Sequence, residues 1–246
     1  MENNIVLITG GNSGIGYATV LKFVDLGAKI VVFDKETNHI SQLAEKYPDQ
    51  IMVVNGDVTK LGDLDHLYDE IKNKYGQLNV VFANAGIFKF LFTQDTDEEL
   101  YDDIMNTNLK GVFFTVQKAL SLLKDGSSIV VNSSIAHMKA VPAGSVYAAS
   151  KAGARSLVRT WMAELAPRNI RVNSVSPGPI ETPIYDTIGL NEEQKQGFRE
   201  ELKGKIPLAR LGEAEEVAEA VVFLASEKSS FINGEDILID GGIGPI

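Results

Sequence analysis

The chain contains no cysteine, which excludes disulfides, thiolate nucleophiles and cysteine metal sites together. Only three histidines occur, His39, His66 and His137. No two of them stand at metal-ligand spacing, so no metal site is expected. Basic residues are outnumbered: 23 Lys and Arg against 33 Asp and Glu leave a formal net charge of -10. Such a chain lacks the basic footprint that nucleic acid or an anionic membrane surface requires, so neither is expected as a partner. No apolar run reaches the ~18 residues of a membrane span. The opening MENNIVLITG has no basic n-region and enters a strand-like run at once. No signal peptide is read there, and a cytoplasmic protein is expected. No repeat, low-complexity tract or Pro/Gly-rich linker divides the 246 residues, which are read as one domain, 1–246.

What is present is an alternation. Hydrophobic residues make up 44% of the chain, too many for disorder. Short β-branched runs fall near 4–9, 29–33, 50–54, 78–83, 128–132, 170–175 and 236–240, and helix-favouring stretches near 14–26, 38–46, 60–75, 97–124, 145–167 and 213–226. Continuously apolar strands suit a parallel sheet buried on both faces. Seven of them alternating with helices predict a doubly wound, Rossmann-like α/β fold with a seven-stranded parallel sheet. The stretch 177–212 breaks the pattern and is read as a substrate-binding lid, a solvated helical excursion being the alternative. The acidic cluster Asp95, Asp97, Glu98, Glu99, Asp102 and Asp103 is read as a helix N-terminus, where negative charge complements the dipole.

Thr9-Gly10-Gly11-Asn12-Ser13-Gly14-Ile15-Gly16 joins the first strand to the first helix. Glycines at 10, 14 and 16 leave room for backbone to approach a pyrophosphate, and the helix N-terminus offers that anion unpaired N–H groups. Asp34 ends the second strand, where a carboxylate can accept hydrogen bonds from the adenosine ribose and repel a 2′-phosphate. Lys35 would partly offset that repulsion. NAD is therefore the preferred cofactor, with NADP as the alternative. Asp57-Val58 follows the third strand and Asn84-Ala85-Gly86 the fourth, both at strand carboxyl ends. Asp57 could accept from the adenine amino group; Asn84 could line the adenosine pocket or tie a turn.

Tyr147 and Lys151 stand four residues apart with Ser134 upstream of them. On a helix, residues at i and i+4 share a face. A tyrosine with pKa ~10 is too weakly acidic to serve as a base at neutral pH, and a neighbouring ammonium lowers that value by roughly one to three units. Tyr68 and Lys72 repeat the spacing and are read as a solvated helix face.

TGGNSGIG, ANAG at 83–86, Asn108 in NTNLKG, Ser134, YAASK at 147–151, PGPIETP at 177–183 and the tail SSFINGEDILIDGG together resemble the short-chain dehydrogenase/reductases, over nearly the whole chain. The resemblance implies a catalytic tetrad. Tyr147 would exchange a proton with the substrate oxygen, and Ser134 would hold that oxygen. Lys151 would hold the nicotinamide ribose, and Asn108 would bind a water in a proton relay. Thr182 would contact the nicotinamide carboxamide, in a pocket shaped by Pro177, Gly178 and Ile180. A homotetramer is implied as well, built through the helices near 97–124 and 145–167 and the final strand.

Substrate contacts are expected from Ser134, Ala136, Tyr147 and Tyr185, with Phe88, Phe90 and Val141 as further candidates. These aromatics suggest an apolar or alicyclic substrate, or simple core packing. His137 is read as a solvated loop residue. The function expected is hydride transfer between NAD and a small secondary alcohol or ketone. The alternative is an NADP-dependent ketone or 3-oxoacyl-carrier-protein reductase. Asp125, placed in the loop before the fifth strand, counts against carrier docking, and Arg168 counts for it. A non-catalytic dinucleotide-binding regulator would show a broken tetrad, and this one is intact.

Overall fold

The computed structural model describes residues 1–183 and 191–244. Seven strands form one all-parallel sheet: β1 (Ile5–Thr9), β2 (Lys29–Asp34), β3 (Ile51–Asn55), β4 (Leu78–Ala83), β5 (Leu123–Asn132), β6 (Arg171–Pro177) and β9 (Asp236–Ile239). Their spatial order is β3-β2-β1-β4-β5-β6-β9. A second, two-stranded ladder pairs β7 (Ile180–Glu181) with β8 (Gly212–Glu213). The helices are α1 (Gly14–Asp25), α2 (Asn38–Lys46), α3 (Leu61–Lys74), α4 (Glu98–Met105), α5 (Val112–Ala119), α6 (Ser145–Leu165), α7 (Glu192–Lys205) and α8 (Ala214–Ala225).

Strand side chains alternate between faces, and here both faces are apolar. Leu7, Val31, Phe33, Val81 and Val131 enter a core with α3, α5 and α6. Val6, Ile8, Ile30, Val32 and Phe82 enter a second core with α1, α2 and α8. A third, small core joins Ile135, Ile206, Leu211 and Ile243. It fastens the region after α7 to the turn that follows β5. The strand order reverses at β1, between β2 and β4, and open α/β sheets bind ligands at the carboxyl ends beside such a point.

The seven-stranded doubly wound sheet matches the expectation from sequence, and several local readings need correction. The stretch 97–124 is not one helix: a π-helical turn, Asn106–Gly111, separates α4 from α5, and β5 already begins at Leu123. Asp125 therefore lies within β5, not in a loop before it. Its carboxylate accepts from Arg168 Nε at 3.0 Å. Tyr68 is no solvated residue. It is 7% exposed in the α3–α5 core and its hydroxyl donates to the Thr115 carbonyl, while Lys72 one turn on is exposed. The acidic cluster does open a helix: Asp97 caps α4, accepting from Leu100 N at 2.8 Å.

Candidate active site

The glycine turn is shaped by close approaches. Gly10 has φ +68°, and a Cβ there would stand 2.8 Å from Ala85 Cα. A Cβ on Gly16 would stand 2.0 Å from the Gly10 carbonyl oxygen. Asn84 accounts for the crowding, since its Nδ2 donates to the carbonyls of Thr9 and Gly10 at 3.0 and 2.9 Å. Ser13 begins α1 without a side-chain cap, so the first N–H groups of the helix remain available to an anion. Asn12 is turned elsewhere: its Oδ1 accepts from His39 N and Ile40 N, both at 3.0 Å, at the start of α2. Its backbone N–H donates to Asp34 Oδ2 at 2.9 Å. The other Asp34 oxygen accepts from Glu36 N at 3.1 Å, which fixes this carboxylate at the end of β2. Lys35 beside it is exposed.

The remaining candidates gather beyond the turn. A Cβ on Gly14 would meet Thr182 Cγ2 at 3.3 Å, so the segment after β6 folds over the glycine turn. A Cβ on Gly86 would lie 3.2 Å from Asn108 Oδ1 and 3.4 Å from Lys151 Nζ. Gly178 passes over Asp240, and its N–H donates to the Ile239 carbonyl at 2.9 Å. Val58 and Ile180 face the two main cores, Val58 packing against Gly111, and Ala136 is buried in the turn after β5. Asp57 Oδ1 accepts from Thr59 N at 2.9 Å at the start of the chain's approach to α3. Tyr185 lies outside the described residues.

Ser134, Tyr147, Lys151 and Asn108 converge at the carboxyl ends of β4 and β5. Lys151 is 4% exposed, and its Nζ donates to the Asn132 carbonyl at 2.8 Å. Burial lowers its pKa from 10.5 to about 8. Its nitrogen stands 5.8 Å from the centre of the Tyr147 ring. Burial raises the Tyr147 pKa, and a hydrogen bond with Ser134 pulls it down. The Ser134 Oγ also accepts from Ala136 N at 3.2 Å. Burial is the larger of the two influences, so the phenol lies above the ordinary tyrosine value, opposite in direction to the shift expected from a neighbouring ammonium. Asn108 is fully buried in the π-helical turn. Its amide accepts from Ile87 N at 2.8 Å and donates to Ile87 O at 2.9 Å and to Ser150 Oγ at 3.2 Å.

Two features of the site escape the sequence. Phe198 of α7, set in a polar stretch, reaches Phe90 with ring centres 6.1 Å apart. His137 is not solvated: its Nε2 lies 2.8 Å from Asp236 Oδ2, and that carboxylate also accepts from Ser174 and Ser176. Its partner stands on the last strand, so nothing local to His137 signals the pairing.

The arrangement holds a buried ammonium, a serine-bound phenol and an uncapped glycine-rich helix start along one edge of the sheet. Comparison with known proteins places it. Residues 10–244 match the family model described as enoyl-(acyl carrier protein) reductase. The chain is 39% identical over 248 residues to the 3-oxoacyl-[acyl-carrier-protein] reductase of Thermotoga maritima, covering 99% of this chain and 98% of that one. It superposes on levodione reductase with a TM-score of 0.94 at 30% identity, covering 100% and 99% of the two chains. It superposes on the 3-ketoacyl-(acyl-carrier-protein) reductase of Brucella melitensis, solved with NADH, with a TM-score of 0.91 at 29% identity, covering 99% of each. The chain belongs to the short-chain dehydrogenase/reductase family. It is an NAD(P)-dependent oxidoreductase of CH–OH and ketone groups. Among the described residues no helix is long and apolar enough to cross a membrane.

Proposed function

We propose that the chain interconverts a small secondary alcohol and its ketone with NAD as the preferred cofactor, Tyr147 exchanging the proton. The observation that carries this reading is the serine-bound Tyr147 one helical turn from a buried, carbonyl-anchored Lys151. When bound, the nicotinamide supplies the hydride acceptor or donor. The uncapped start of α1 and the Gly10–Gly16 turn would take the pyrophosphate, with Ser13 and Ile15 contributing backbone N–H groups. Asp34 would accept from the adenosine ribose, and Thr182, held over Gly14, would meet the nicotinamide end.

In ketone reduction Tyr147 donates its proton to the carbonyl oxygen, which Ser134 orients. The raised pKa keeps the phenol protonated at neutral pH, the form that reduction needs. Alcohol oxidation needs the phenolate, which Lys151 and the positive charge of the oxidised cofactor favour together. The Asn108 side-chain amide is already engaged with Ile87 and Ser150, so a proton relay at this residue would use its backbone.

A small-molecule substrate is favoured over a carrier-linked one because Arg168 is already engaged. Its guanidinium donates to Asp125, to the Leu120 carbonyl and to the Leu123 carbonyl. We also assign α7 and its flanks, 177–212, as the element covering the substrate, and a homotetramer as the assembly. Phe113 on α5 and Phe231 before β9, both exposed, support the latter. A cytoplasmic location fits the charge and the cysteine-free sequence.

The test is turnover of a panel of secondary alcohols with NAD⁺ and with NADP⁺. Turnover with NAD⁺ at least ~10-fold more efficient supports the reading, equivalent to about 1.4 kcal/mol. Turnover with NADP⁺ alone overturns the cofactor preference.

A further inference from the structure

Four aromatic rings run in sequence from the proton-exchanging phenol to α7. Phe88 stands 4.5 Å from Tyr147 between ring centres, at 64°. Phe90 stands 4.2 Å from Phe88 at 70°, and Phe198 stands 6.1 Å from Phe90 at 80°. Each pair is edge-to-face, the arrangement that the ring quadrupole favours. Phe88 and Phe90 sit two apart in an irregular segment after β4, and both are half-buried. Lys89 between them is exposed and reaches Asp103 at 3.2 Å.

Both ends of the row are fastened. Leu91 N donates to the Ala143 carbonyl at 2.8 Å, tying the loop to the segment before α6. Arg199, next to Phe198, grips both oxygens of Glu181, with contacts from 2.8 to 3.1 Å. The β7–β8 ladder closes the base of the same excursion.

We infer that the substrate carries a compact apolar ring, an alicyclic or aryl ketone or its alcohol, seated against Phe88, Phe90 and Phe198. The inference rests on the oxidoreductase reading above. Ser134 and Tyr147 bind one oxygen, and the three phenylalanine side chains beyond them offer no hydrogen bond. A polyol laid along them would leave its hydroxyls unpaired, which a site penalises heavily. A flexible acyl chain would lose rotational freedom on ordering there, whereas a rigid ring has little to lose and presents an edge or face to each phenylalanine.

The experiment compares ketones of equal carbon number, cyclohexanone with 2-hexanone and 2-tetralone with 2-decanone, in NADH-dependent reduction. NADH and NADPH binding are followed separately by nicotinamide fluorescence, and the reductions are repeated with NADPH if it binds more tightly. The cyclic member of each pair is expected to show roughly tenfold higher kcat/KM, the scale of one or two aromatic contacts. In Phe90→Ala and in Phe198→Ala the ring-over-chain ratio falls toward one, mainly through KM. Phe90→Leu, which keeps the bulk and loses the ring, lowers the ratio as well. Equal or better reduction of the linear ketones overturns the inference. So does an unchanged ratio in all three variants, or NADH binding with no turnover of any of the four ketones. Failure to bind either dinucleotide instead removes the oxidoreductase reading beneath it.

Discussion

Asp34 offers the sharpest quantitative test of the cofactor site. Its carboxylate is held at the end of β2 by N–H donors from Asn12 at 2.9 Å and Glu36 at 3.1 Å. A phosphate on the adenosine ribose would bring negative charge beside it. At ~4 Å the repulsion is ~1–4 kcal/mol per unit charge, from bulk-water to surface-like screening. That is roughly five- to a thousandfold against NADP. Asp34→Asn keeps an acceptor and the size of the side chain while removing the charge, so it isolates the electrostatic part. Asp34→Ala also removes the ribose hydrogen bonds, worth about 1.5–3 kcal/mol when the acceptor is charged. Titration of each variant with NADH and NADPH at one salt concentration should show NADPH tightening in Asp34→Asn. NADH should weaken further in Asp34→Ala. The effect of the charge should shrink as salt rises. An NADH-to-NADPH affinity ratio within about twofold of the parent in both variants would refute the assignment, since even the bulk-water limit exceeds that.

Other outcomes follow from the same geometry. Lys151 has its pKa lowered to about 8 by burial, against 10.5 in the unfolded chain. Below pH 8 both states are protonated and the burial cost, about 3 kcal/mol, weighs fully on the fold. Between 8 and 10.5 the unfolded chain binds more protons, so stability rises with pH until tyrosine ionisation in the unfolded chain reverses the trend. Denaturant unfolding at pH 7.5 and 9.5 should show this gain, and Lys151→Met should lose it. Gly16→Ala should abolish dinucleotide binding, because its Cβ would meet backbone at 2.0 Å. Gly62→Ala in α3, where nothing lies within 4 Å, should instead stabilise the chain by about 0.5–1 kcal/mol in the same unfolding assay. Asn108→Ala leaves the Ile87 N–H and carbonyl unpaired beneath the site and should lower unfolding stability by about 2–4 kcal/mol, read from the denaturant midpoint.

The sheet was legible because its central strands are buried on both faces: β1, β4 and the middle of β2 are nearly continuous apolar runs, and β5 closes on one, Ile129–Val131. The glycine turn and the Tyr147–Lys151 pair were legible because their spacing is local. What escaped was set by distant partners. Tyr68 looks solvated until Thr115, 47 residues on, supplies a carbonyl for its hydroxyl. His137 looks solvated until Asp236, 99 residues on, arrives on β9. The π-helical turn at 106–111 carries no proline, and Gly111 at its end is followed at once by α5. It accompanies the side chain of Asn108 reaching Ile87, a tertiary demand that propensity does not express. Phe198 sits in NEEQKQGFREELKGK, where a single aromatic in a charged run gives no sign that it meets Phe90, 108 residues before it.

The central claim, that Tyr147 exchanges the proton, is tested most directly by Tyr147→Phe. Cofactor affinity by fluorescence titration and turnover with a secondary alcohol or ketone are measured on the same preparation. Removing only the hydroxyl should leave dinucleotide affinity within about threefold of the parent, less than 1 kcal/mol, while turnover falls by the ~10²–10⁴ typical of a lost acid–base group. Turnover within tenfold of the parent, or loss of dinucleotide binding together with activity, would contradict that role.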